Sequence, residues 1–161
     1  MRVYRLTSAK YAATALLGHG ARRVGGRWHS SGTALAYTTE TPELALLEAM
    51  GHTDIDLLPA THVLLEFEIP DKCVAKPHRI PSGWDAPLPY LASIQRLGDA
   101  WVSADTSLAL SVPSAIMPQR RTILINPVHA DFPLIETIKN FKWTWPPRLI
   151  EIMASMKSKQ D

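Results

Sequence analysis

One cysteine, Cys73, in 161 residues rules out an internal disulfide, and no Cys/His spacing around it suits a metal. The six histidines are scattered and none pair at helical spacing, so no metal site is expected. No apolar run approaches the roughly 20 residues of a membrane helix, and no charged-then-apolar leader opens the chain. The expectation is a soluble, cytoplasmic protein with no membrane contact. The net charge is only +2, and the basic pairs Arg22-Arg23 and Arg120-Arg121 are far apart, which argues against direct nucleic-acid binding. Neither a P-loop nor a Rossmann glycine pattern is present. Ser114, between Pro113 and Ala115, lacks the setting of a hydrolase nucleophile. There is no internal repeat and no low-complexity linker, so residues 1–161 read as one domain, with a core over about 3–150 and a frayed polar tail.

What the chain does have is thirteen prolines and five tryptophans. They point to a loop-rich α+β fold. Strands are expected at Val3–Leu6, Thr33–Thr39, His62–Ile69 (with one wet face), Leu108–Val112 and Thr122–Ile125, and a short extended piece at Ser114–Pro118. Helices are expected at Tyr11–Leu17 (stopped by Gly18 and Gly20), from Thr41-Pro42 onward, at Leu91–Ala104 and at Arg148–Met156. Thr53–Pro59 and Asp71–Pro89 read as loops, and Trp143–Pro147 as a rigid turn. Strands and helices alternate without a βαβ rhythm, which favours α+β over a doubly wound sheet.

The organising stretch is Gly25 to Gly51. It opens with a glycine loop carrying Arg27, Trp28 and His29, passes through an apolar run ending near Tyr37, and enters a helix at Thr41. Thr41 suits the N-cap, Pro42 the first helical position and Glu43 the first turn. From Leu44 to Met50 the helix is apolar except for Glu48, so it is expected to be buried. A buried carboxylate must be paired, hydrogen-bonded or protonated. Glu48 is therefore either a functional group or half of a structural ion pair with Arg27 or Arg5. Arg27 beside two glycines can offer a planar fork to phosphate or carboxylate, or be a solvated turn residue. Tyr37 can be a site aromatic or a core one. His29, His52 and His129 could act as bases, and nothing in the spacing singles one out.

Together, GGRWHSSGTALAYTTETPELALLE, LALSVPSAIMPQRRTILINPVHADF and FKWTWPPRLI resemble the RES-domain family over nearly the whole chain, from Tyr4-Arg5 to Ile150. His29 departs from the small polar residue expected there, and Trp145-Pro146-Pro147 from an acidic residue before Pro-Arg. The resemblance implies a single domain with an ADP-ribosyltransferase-like split β-sheet core and flanking helices. It also implies a bacterial toxin that depletes NAD, by hydrolysis or phosphorolysis, or else transfers ADP-ribose to a protein. NAD would be substrate, with no cofactor needed. An Xre-like antitoxin would block the site and bring the only link to DNA, with a homodimer within that complex among the expected partners. Carried over, the catalytic residues are Arg27, Tyr37, Glu48 and Ser114, with Ser111 the weaker candidate for the serine. Arg5 would join Arg27 at the pyrophosphate, and Trp28 or Tyr37 would stack on nicotinamide. The contrasting reading is a non-catalytic binding domain with a structural Arg27–Glu48 pair.

Overall fold

A computed structural model describes residues 1–52, 61–87, 89 and 91–157. The loop expected at Thr53–Pro59 and the end of the polar tail lie outside them. Seven strands form one sheet: β1 (Arg2–Ser8), β2 (Ala36–Thr39), β3 (His62–Glu68), β4 (Val74–Ala75), β5 (Ala109–Pro113), β6 (Arg121–Ile125) and β7 (Glu136–Trp143). Their order is β4-β5-β6-β2-β1-β3-β7, with β4 and β5 parallel and the other neighbours antiparallel. Four α-helices complete the described fold: α1 (His19–Val24), α2 (Pro42–His52), α3 (Ala92–Ala104) and α4 (Pro147–Lys157). This is the α+β architecture anticipated.

The sheet has a weak seam. β1 pairs with β3 along its full length, yet its register with β2 is the single pair Tyr4↔Thr39. The β4-β5-β6-β2 and β1-β3-β7 parts therefore meet at one point, the form a split sheet takes. One cluster covers each part, and a third spans both. Trp28, Leu35, Ile94 and Trp101 pack on Leu110, Val112 and Leu124. Trp145 and Met153 gather Leu6, Leu46 and Met50 beneath α2 and α4. A third cluster includes Val3, Leu65, Phe67, Ile123 and Ile125, with Ala12 and Leu16 from the segment after β1.

Several local expectations change. Tyr11–Leu17 is not a helix: a 3-10 turn spans Ala9–Thr14, and the helix comes later at His19–Val24. Gly18, at φ 64°, precedes that helix, and Gly20 lies inside it. Ser114–Pro118 is bend and turn rather than extended chain, because it closes the β5–β6 hairpin. The wet face of β3 is largely covered: Glu66 is only 4% exposed and pairs with Arg2 at 2.6 Å. The helix bearing Glu48 buries Leu44 and Ala45, while its remaining described residues are half-buried or exposed. Its N-cap is as expected, with the Leu44 N–H donating to Thr41 Oγ1 at 3.3 Å. Strand β7 has no counterpart in the sequence reading. It is a mostly exposed edge strand, so burial imposes no apolar alternation on it.

Candidate active site

The glycine loop between α1 and β2 is built by close approach. The Gly26 N–H donates to the His29 carbonyl at 2.9 Å, and a Cβ on Gly26 would sit 2.8 Å from both Tyr37 Oη and His29 Cε1. Helix α3 holds the loop from outside. Asp99 accepts from the Ser30 N–H (3.0 Å), the Ser30 hydroxyl (2.6 Å) and the Thr33 hydroxyl (2.8 Å), while Gln95 donates to the Gly26 carbonyl at 3.0 Å. Partial burial by itself pushes the Asp99 carboxyl up, but the Ser30 and Thr33 donors outweigh it and hold it below the usual carboxylate range. Sequence reasoning missed Asp99: an acid on a helix is ordinarily a solvated one, and only the tertiary contact gives it three donors.

A pH dependence follows. Because the folded pKa is depressed, the Asp99 contribution is complete above the ordinary carboxylate pKa of about 3.9 and is lost as pH falls through the folded value. Asp99→Asn should cost about 1.5–3 kcal/mol at neutral pH, the range for hydrogen bonds to a charged group. It should also flatten the loss of stability on acidification. Urea unfolding of both proteins from pH 7 to pH 3 checks this; parallel curves would refute it.

Arg27 turns its guanidinium into the segment after β4, with Nη1 donating to the carbonyls of Trp84 and Ala86, each at 2.7 Å. It therefore ties two loops together, whatever else it binds. Trp28 is not available to stack on a ligand. It is 2% exposed, stacks on Trp84 with ring centroids 6.0 Å apart, and belongs to the core under α3. The substrate contact anticipated for Trp28 is thus replaced by packing.

Tyr37 is fixed at several atoms. Its hydroxyl lies 2.8 Å from His29 Nδ1 and accepts the Trp28 N–H at 3.2 Å, and its carbonyl accepts Arg5 Nη1 at 2.6 Å. Arg5 reaches that carbonyl from β1, across the seam of the sheet. Burial lowers its pKa, and its Nε is buried without a hydrogen-bond partner among the described residues. His29 is fully buried, with Nε2 3.1 Å from the Ala21 carbonyl. Burial lowers its pKa against the smaller opposing effects of that carbonyl and Asp99. It faces Tyr37 and α1, not an open base position. His129 lies elsewhere, its Nδ1 accepting the Asp131 N–H.

Glu48 and Ser114, 66 residues apart, are brought together, with the Ser114 hydroxyl donating to Glu48 Oε1 at 2.9 Å. Ser114 is fully buried, and its oxygen accepts the N–H groups of Ile116 and Met117, each at 3.2 Å. A hydroxyl offers one donor and two acceptor sites, and all are used. Ser114 therefore aims the carboxylate and has no capacity left for a ribose or phosphate oxygen. Ser111 lies within β5 opposite Ile123 and is only 7% exposed. Glu48 thus has a neutral hydroxyl partner where an ion pair with Arg27 or Arg5 was the structural alternative.

Two hollows lie apart from these groups. One of about 520 Å³ includes Leu16, Leu65, Phe67 and Phe132 in its walls, and one of about 290 Å³ includes Leu6, Leu46 and Trp143. Arg27, Tyr37, Glu48 and Ser114 line neither. Volume alone does not identify the candidate site.

The mixed sheet with its seam defines a fold class that solved structures already contain. The crystal structure of the M. tuberculosis MbcT–MbcA toxin–antitoxin complex matches with a TM-score of 0.73 over 96% of this chain and 88% of that one, at 19% identity. Residues 2–146 match the RES domain, and the chain belongs to the RES-domain family. It is 39% identical over 145 residues to the Prs ADP-ribosylating toxin of Sphingobium sp. (strain YBL2), covering 87% of this chain and 89% of that one. It is 35% identical over 154 residues to Toxin Res of Photorhabdus laumondii, covering 94% and 98% respectively.

Proposed function

We propose that the chain is the toxin of a toxin–antitoxin pair and acts on NAD, breaking the bond between nicotinamide and ribose. The observation that carries this reading is the Glu48–Ser114 contact, a carboxylate held in one direction by a hydroxyl that is itself pinned by two backbone N–H groups. As the C1′–N bond breaks, its electron pair leaves with nicotinamide and positive charge develops on the ribose. A preoriented carboxylate stabilises such an oxocarbenium-like centre without reorganising. The incoming nucleophile, water (which gives up a proton to solvent) or phosphate, then adds at C1′. Tyr37 supplies a ring fixed in place for stacking, and Arg27 and Arg5 supply the cationic side for the pyrophosphate. NAD enters as substrate.

ADP-ribosyl transfer to a protein is the second reading, favoured by the name of the Sphingobium relative. The two share the bond-breaking step and differ only in the nucleophile. The partner is an antitoxin whose carboxylate-bearing segment competes for Arg27 at the same site.

Incubation of the purified chain with NAD, with and without phosphate and with and without a bacterial lysate as acceptor, tests this. NAD loss in the protein-only tube indicates hydrolysis, loss that requires phosphate indicates phosphorolysis, and a labelled acceptor indicates transfer. Intact NAD and no labelled protein, from a folded sample, would overturn the reading and favour the non-catalytic domain.

A further inference from the structure

We propose that His29 is a positioning residue that sets the direction of the Tyr37 hydroxyl and, on protonation, reverses it. The inference rests on the reading of Tyr37 as a site residue and adds a residue that acts through it.

The argument is one of donors and acceptors. His29 Nε2 faces the Ala21 carbonyl at 3.1 Å, and a carbonyl only accepts, so Nε2 carries the proton. In the neutral ring Nδ1 is then an acceptor, and the contact of 2.8 Å to Tyr37 is donated by the tyrosine hydroxyl. The same oxygen accepts the Trp28 N–H. A chain of bonds thus runs from the α1 backbone through His29 to the tyrosine, and the hydroxyl proton is directed at His29.

If His29 takes a proton from solvent, Nδ1 becomes a donor. The Tyr37 oxygen then faces two donors, Nδ1–H and the Trp28 N–H, and its own proton must turn to a different acceptor. The residue keeps its proton, and only the direction of donation changes. Because the ring is buried, this happens below the ordinary histidine range. The surrounding charges are few. Asp99 on α3 favours the protonated form, Arg27 lies in the same loop, and His19, Arg22 and Arg23 on α1 are exposed. Tyr37 is the titratable group from β2.

Two substitutions separate positioning from bulk packing. In His29→Asn the amide oxygen can take the place of Nδ1 as acceptor but does not titrate, whereas His29→Leu removes the acceptor. In wild type, KM for NAD should rise on acidification through the His29 pKa. His29→Asn should keep KM within about threefold at neutral pH and lose that acid limb, and His29→Leu should raise KM by about tenfold, the scale of one hydrogen bond. An unchanged acid limb in His29→Asn, or a wild-type KM in His29→Leu, would overturn the proposal. Nitrogen-15 NMR of the imidazole supplies a readout independent of activity. An Nε2–H tautomer at neutral pH supports the proposal and an Nδ1–H tautomer overturns it, even if the protein proves not to consume NAD.

Discussion

Glu48→Gln is expected to lower NAD turnover by at least about a hundredfold, the scale of removing one aimed electrostatic contact, while the protein stays folded. The substitution is nearly isosteric. The amide oxygen still accepts the Ser114 hydroxyl proton that Oε1 accepts at 2.9 Å. What it removes is the negative charge, the one property needed to stabilise a cationic ribose. Turnover measured beside a thermal melt separates the two effects. A large fall in melting temperature with proportionate loss of activity would make Glu48 structural, and normal turnover in a folded sample would remove it from the site. Ser114→Ala gives the complementary result. It keeps the charge but loosens its aim and leaves the Ile116 and Met117 N–H groups without their acceptor, so activity and stability should both fall, by about 1–3 kcal/mol for the latter.

Gly98→Ala should be the most damaging small substitution in the described fold. A Cβ there would lie 1.8 Å from the backbone oxygen of Trp28 and 3.0 Å from its carbonyl carbon. Because the clash is with backbone, no rotamer change relieves it; α3 must lift off the glycine loop. Lifting α3 also strains the Asp99 bonds to Ser30 and Thr33, one residue along the same helix. A cost of about 3 kcal/mol or more is expected for overpacking of this kind, or a fall in melting temperature of roughly 10 °C at this chain length. Thermal unfolding of Gly98→Ala checks it, and a melting temperature within about 2 °C of wild type would show that α3 and the loop are not in register.

Both predictions depend on contacts between segments far apart in sequence. The chain by itself determined much of what precedes those contacts. It determined the α+β class, the helix entry at Thr41-Pro42-Glu43 and strands β1, β2, β3, β5 and β6, because these depend on local capping, turn chemistry and apolar pattern. It also marked Glu48, the only polar residue between Leu44 and Met50. Local pattern failed at two places. β7 is an exposed edge, and the Tyr11–Leu17 run has helical composition but is taken up by a 3-10 turn before Gly18. Only the tertiary structure decided what partners the marked residues have. It gave Glu48 to Ser114, placed Trp28 in the core, made Asp99 the clamp of the glycine loop and set His29 against Tyr37. The physical reason is that a side chain's role depends on which donors, acceptors and apolar surfaces surround it, and spacing along the chain does not specify those when they come from residues 8 to 69 positions away.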